Sequence, residues 1–226
     1  LGQNLFERNP QRVSSPMVES FLILAPPILL AITFHEYAHG WTAMKFGDPT
    51  AKMMGRLTLN PLVHLDPIGT LMLFLVHFGW AKPVPVDPRY FSDPKRQMLW
   101  VALAGPVANM ILAFFSGILI IGFASSNFMF SSNTAIIGNM LVYSLQINLA
   151  LAVFNMLPIP PLDGSKILRG LLPYEYEHIA VQMEQYGPWV LMSIILFGMM
   201  TGVSLFWIFI GPFVKFFSSL FTLGIM

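Results

Sequence analysis

Long apolar runs with few charges constrain this chain more than any other feature of it. A helix rises about 1.5 Å per residue and the hydrocarbon core is about 30 Å thick, so a span needs roughly 20 largely apolar residues. Val18–Phe46, Gln97–Ala124 and Pro188–Ile210 reach that length, and Asn133–Leu157 does so while carrying the amides Gln146, Asn148 and Asn155. An unpaired amide in hydrocarbon is costly, so these three side chains are expected to face protein rather than lipid. Composition agrees: 55% of residues are apolar and 10% charged, against roughly 25% charged in a soluble domain. The expected fold is an all-α polytopic membrane protein with about four transmembrane helices, a re-entrant or interfacial element and short extended segments. Residues 1–16, LGQNLFERNPQRVSSP, differ in character and are set aside as an N-terminal extension, leaving 17–226 as a single domain.

The apolar stretch PIGTLMLFLVHFGW, Pro67–Trp80, is too short to cross. Charge decides its path. Lys45, Lys52 and Arg56 precede it, Lys82, Arg89, Lys95 and Arg96 follow it, and Lys166 and Arg169 follow the run ending at Leu157, whereas Ser125–Asn133 carries no charge. Placing these nine of the twelve Lys and Arg on the cytoplasmic side satisfies the positive-inside rule only if Pro67–Trp80 dips in and returns. The N-terminus then lies outside; the rival topology, in which Pro67–Trp80 crosses, moves Lys45, Lys52 and Arg56 outside. Two proline-rich loops, AKPVPVDPRYFSDP (Ala81–Pro94) and MLPIPPLDG (Met156–Gly164), exclude helix and favour extended or turning backbone. A net charge of +1 offers no basic surface to nucleic acid, and zero cysteines exclude disulfides, thiolate zinc sites and cysteine nucleophiles.

Inside the first run stands ITFHEYAHGW, Ile32–Trp41. His35 and His39 are four residues apart, which on a helix places both imidazoles on one face, one turn apart, able to share a metal ion. Glu36 falls on the neighbouring flank. This H-E-x-x-H pattern is that of zinc metallopeptidases, in which two neutral imidazoles bind Zn²⁺ and the glutamate takes a proton from the water that the metal activates. The bland alternative has all three side chains hydrogen-bonded to neighbouring spans. Ionisable groups at membrane depth are expensive unless they are paired or functional, which favours the metal reading.

A zinc hydrolase needs a third protein ligand and an open fourth position. His64, His77, His178 and the acidic residues are the available donors. Asp163 stands out because PPLDGSK breaks the run before it and frees the chain to turn inward. With the N-terminus outside, His35 lies about 20 Å below the start of its helix. The run ending at Leu157 descends the same way, so Asp163 returns to a similar depth, in the inner half of the membrane.

HEYAHG, AGPVAN and FNMLPIPPLDG, with NPLVHLDPIG and GWAKPVPV, resemble in order the motifs of the site-2 protease family of intramembrane zinc metalloproteases, in its compact bacterial or archaeal branch. The resemblance covers roughly Phe21–Arg169. It implies one Zn²⁺ per chain held by His35, His39 and Asp163, with Glu36 as catalytic base and acid. It also implies that Asn155 positions the substrate or supports the developing oxyanion. The implied partners are the lipid bilayer and membrane-protein substrates cut within a transmembrane segment. The implied location is a prokaryotic plasma membrane, with the active site nearer the cytoplasm. Many relatives carry a PDZ or CBS domain and no segment here is long enough for one, so a regulatory membrane partner is a further expectation.

His64, in NPLVHLDP, is an additional site candidate, with a turn role as its rival. His77 and His178 lack partners at ligand spacing and are expected to be structural. In AGPVAN, Gly105 and Ala108 permit close helix packing, and Asn109 is within reach of the site. Leu171–Gly187 reads as an interfacial helix. A divalent-metal transporter is the alternative function, but neither an inverted repeat nor matched helix breaks are found. An inactive scaffold is the third reading, opposed by the complete catalytic set.

Overall fold

The computed structural model describes residues 16–76, 79–125 and 135–225. The extension 1–15, His77 and most of the uncharged loop 125–133 lie outside the described residues. The helices are α1 (Pro16–Lys45), α2 (Thr50–Met53), α3 (Pro67–Val76), α4 (Pro94–Ser125), α5 (Ala135–Asn155), α6 (Asp163–Leu171), α7 (Glu177–Thr201) and α8 (Leu205–Phe221). The protein is all-helical. Among the described residues the nearest approach to a sheet is one isolated antiparallel bridge, Leu65 to Ala81.

Phe21–Lys45, Pro94–Ala124 and Ala135–Asn155 are long and apolar enough to cross a membrane, matching three of the four expected spans. α4 packs against α1, α5 and α6. A core of Ala113, Ile120, Leu145, Leu149, Ile210 and Val214 joins α4, α5 and α8. Outward, α4 exposes Ile111, Phe114, Phe115, Ile118 and Leu119, an apolar face suited to lipid.

The fourth expected span, Pro188–Ile210, differs. Helix α7 stops at Thr201, where Gly202 adopts φ 72°, and α8 restarts at Leu205 with the Ser204 side chain accepting from Trp207 N–H. The two helices meet at 94°. Hydropathy runs straight through this point because Gly202 and Ser204 interrupt the helix by capping, not by charge. The expected interfacial helix at Leu171–Gly187 is likewise not separate: Leu171 ends α6, Tyr174–Tyr176 forms a 3-10 turn and Glu177–Gly187 opens α7.

The stretch Pro67–Trp80 forms the ten-residue helix α3, started by Asp66, whose carboxylate accepts from Gly69 N–H at 2.8 Å. At about 1.5 Å per residue it is half a bilayer long. Its flanks meet again: Leu65 pairs with Ala81, and Lys82 N–H donates to His64 O at 2.9 Å. The segment therefore returns to the level from which it departs.

Candidate metal centre and active site

α1 carries His35, Glu36 and His39, and α6 begins at Asp163; all four are buried. α5 ends at Asn155, the chain turns through Met156–Leu162, and α6 brings Asp163 back against α1. Gly164 permits this. A Cβ there would sit 2.2 Å from Met156 O, so only glycine lets the first turn of α6 close onto the end of α5.

The outer nitrogens of the two rings are committed. His35 Nδ1 lies 2.6 Å from Asn109 Oδ1, and Asn109 is fixed in that sense because its Nδ2 donates to Ala31 O at 3.0 Å. His39 Nδ1 lies 2.7 Å from Val101 O. Both partners are pure acceptors, so each Nδ1 carries the hydrogen and each neutral ring turns an unprotonated Nε2 inward. The two Nε2 atoms are 3.0 Å apart, and Asp163 Oδ2 is 3.1 Å from that of His35 and 3.2 Å from that of His39.

With both rings neutral, the three converging atoms are all acceptors and repel one another unless a cation lies between. Tetrahedral zinc with ligands at 2.0–2.1 Å separates them by roughly 3.3 Å. The donor set therefore fits zinc in chemistry and spacing. α4 leaves room on this side: a Cβ on Gly105 would fall 2.5 Å from His39 Nε2 and 2.6 Å from His35 Cε1, inside the ligand group. Among the described residues, His35, His39 and Asp163 form the group of metal-capable side chains close enough to share one ion.

Glu36 is held differently. Its Oε2 accepts from Val84 N–H at 2.8 Å. Val84 belongs to an extended strap, and the strap is tied along its length. Arg56 Nη2 donates to Lys82 O at 2.7 Å and to Pro83 O at 3.3 Å, and Asp87 N–H donates to the buried Asp48 Oδ2 at 2.8 Å. Gly40 on α1 lets the strap lie close, since a Cβ there would meet Val84 Cγ1 at 3.0 Å.

The remaining candidates occupy other places. Asn155 Nδ2 donates along its own helix to Leu151 O at 3.0 Å, outside the His35–His39–Asp163 group. His64 is fully buried and its Nε2 donates to Thr58 O at 2.8 Å, while its own carbonyl holds the strap through Lys82; it too stands outside the group. His178 Nδ1 donates to Glu175 O at 3.0 Å in the turn before α7. Sequence reasoning missed Val84, Arg56 and Asp48, whose roles arise from contacts distant in the chain. The proline spacing of Ala81–Pro94 was the available signal for an extended element, though not for where it docks.

The match to known proteins follows this geometry. The model of peptidase family M50 matches residues 23–135 and 129–199. A Bacillus subtilis (strain 168) protein named "Putative zinc metalloprotease YwhC" is 43% identical over 161 residues, 71% of this chain and 74% of the relative. "Putative zinc metalloprotease MJ0611" of Methanocaldococcus jannaschii is 45% identical over 151 residues, 66% of this chain and 70% of the relative. "Putative zinc metalloprotease Rip2" of Mycolicibacterium smegmatis is 32% identical over 178 residues, and the match spans 74% of this chain but only 64% of that relative's length. No solved structure matches the chain. These findings define a membrane metalloprotease. The chain belongs to peptidase family M50, the site-2 protease family.

Proposed function

We propose that this chain is an intramembrane zinc endopeptidase that hydrolyses a peptide bond within or near the transmembrane segment of membrane-protein substrates, as in regulated intramembrane proteolysis. The observation that supports it most is the convergence of two inward imidazole nitrogens and a carboxylate within 3.2 Å, on helices apolar enough to cross a bilayer. One zinc per chain would be held by His35, His39 and Asp163. When bound, it supplies Lewis acidity toward the scissile carbonyl and makes water acidic enough to deprotonate near neutral pH.

The chain's own groups do the rest. Asn109 and the Val101 carbonyl keep the imidazoles oriented. Glu36 takes a proton from the attacking water as its oxygen bonds to the carbonyl carbon; when the C–N bond breaks, the same carboxyl gives that proton to the leaving amine. Asn155 supports the oxyanion or the substrate once its side chain leaves Leu151 O. A substrate helix must unwind first, because its carbonyls are bonded within the helix. We place the protein in a prokaryotic plasma membrane, its site nearer the cytoplasm, with access set by the membrane-embedded elements or by a membrane partner.

Zinc content and cleavage of a single-span substrate, measured together in detergent, test this reading. The native chain should hold about one zinc and cut. Glu36→Gln should keep the zinc and lose cleavage by ~10²–10⁴-fold, and Asp163→Asn should weaken zinc. Zinc without any cleavage, or equal cleavage by Glu36→Gln, would favour a metal-handling protein instead.

A further inference from the structure

Asn109 and Asn148 are both fully buried where α1, α4 and α5 meet. Asn109 spends Oδ1 on His35 Nδ1, and its Nδ2 donates both to Ala31 O and, at 2.8 Å, to Asn148 Oδ1. Asn148 Nδ2 in turn donates to Ser144 O at 2.8 Å, and Ser144 Oγ pairs with Ser116 Oγ at 2.9 Å. Reversing either amide would set a donor against a donor or an acceptor against an acceptor. The sense of the two amides is therefore fixed, and it ends on the nitrogen that decides which lone pair of His35 faces the candidate metal position.

We propose that Asn148 is a positioning residue for the metal centre, acting through Asn109 on the tautomer and ring orientation of His35. The inference rests on His35 being a metal ligand. Asn148 touches none of the ligands and donates to the backbone of its own helix, so a purely packing amide would leave the metal's affinity unchanged. A positioning amide would not. Hydrogen-bond partners behind ligating histidines commonly set metal affinity by about 10–100-fold; Asn148 stands one bond further back and should act at the lower end of that range.

The test is zinc affinity by chelator competition, with the visible spectrum of the Co²⁺-loaded protein as a report on ligand geometry. It uses the purified full chain and the variants Asn148→Leu, Asn148→Ser and Asn148→Asp. Thermal unfolding of the metal-free proteins runs alongside. Leu and Ser remove the acceptor that Asn109 uses; both should weaken zinc about tenfold and shift the Co²⁺ spectrum. Asp keeps the acceptor that Asn109 uses, although its second oxygen would face Ser144 O, and should restore part of the affinity that Ser loses. Should Leu fail to fold, Ser against Asp carries the comparison. Zinc affinity within twofold of native in the Leu or Ser variant, with an unchanged Co²⁺ spectrum, would overturn the proposal. So would equal weakening by Ser and Asp. A native chain that binds no zinc would instead sink the metalloprotease reading itself, so the two failures are distinguishable.

Discussion

His35 and Glu36 are consecutive residues on one helix, yet the protein holds them by opposite means. The histidine is gripped from the bundle interior by the side chain of a fully buried asparagine on α4. The glutamate is gripped by the backbone N–H of Val84, on a strap that belongs to no helix and hangs from Arg56, His64 O and Asp48. A ligand must present one lone pair in one direction, which packed helices do well. A proton carrier must approach first a water and then an amine, which a single hydrogen bond to a separate element permits. Damage to the bundle contacts should therefore appear in metal binding, and damage to the strap in turnover at full metal occupancy.

The largest break in this comparison is expected at Gly105. Gly105→Ala places a Cβ within 2.6 Å of both rings and should abolish zinc binding, read by metal analysis of the purified protein, although alanine is the better helix former. Next comes the strap. Arg56→Gln releases the Lys82 and Pro83 carbonyls and should lower kcat by about 10–100-fold through misplacement of Glu36. Zinc content should stay native, and a parallel loss of zinc would show that strap and ligands are not separable. Asp48→Ala frees the far end of the strap at Asp87 N–H, and with it the Thr50 N–H that Asp48 Oδ1 holds at 2.9 Å, and should lower kcat less, about threefold to tenfold.

The smallest effect is expected at Asp87 itself. Hydrogen bonds from Arg89 hold its carboxyl below the ordinary value. A depressed folded pKa means stabilisation that is full above the ordinary carboxylate range near pH 4 and lost as pH falls through the lower folded value. Arg89 is exposed, so native and Asp87→Asn chains should differ slightly in Tm at pH 7 and converge in acid, as thermal unfolding across that range would show.

Much of this arrangement is legible in the sequence. Uncharged length marked α1, α4 and α5, because hydrocarbon thickness acts on local sequence. The four-residue spacing of His35 and His39 placed them on one face, and the prolines before Asp163 marked where the chain could turn back. What stayed hidden is non-local or conformational. The bond from Val84 to Glu36 joins residues 48 apart, and that from Asn109 to Asn148 joins residues 39 apart. Asn148 read only as an amide needing a protein partner. The bend at Gly202–Ser204 escaped notice because both residues sit comfortably in an apolar window, and their effect comes from a positive φ and a cap.

The most direct measurement is the position of the cut. The zinc-loaded chain, reconstituted in lipid vesicles with a single-span substrate, would be compared with Glu36→Gln by mass spectrometry of the products. New termini within or at the edge of the apolar span, made by the native chain and missing from Glu36→Gln, are the predicted result. Termini only in the loops outside the membrane, or the same products from both proteins, would contradict an intramembrane metalloprotease built on His35, Glu36, His39 and Asp163.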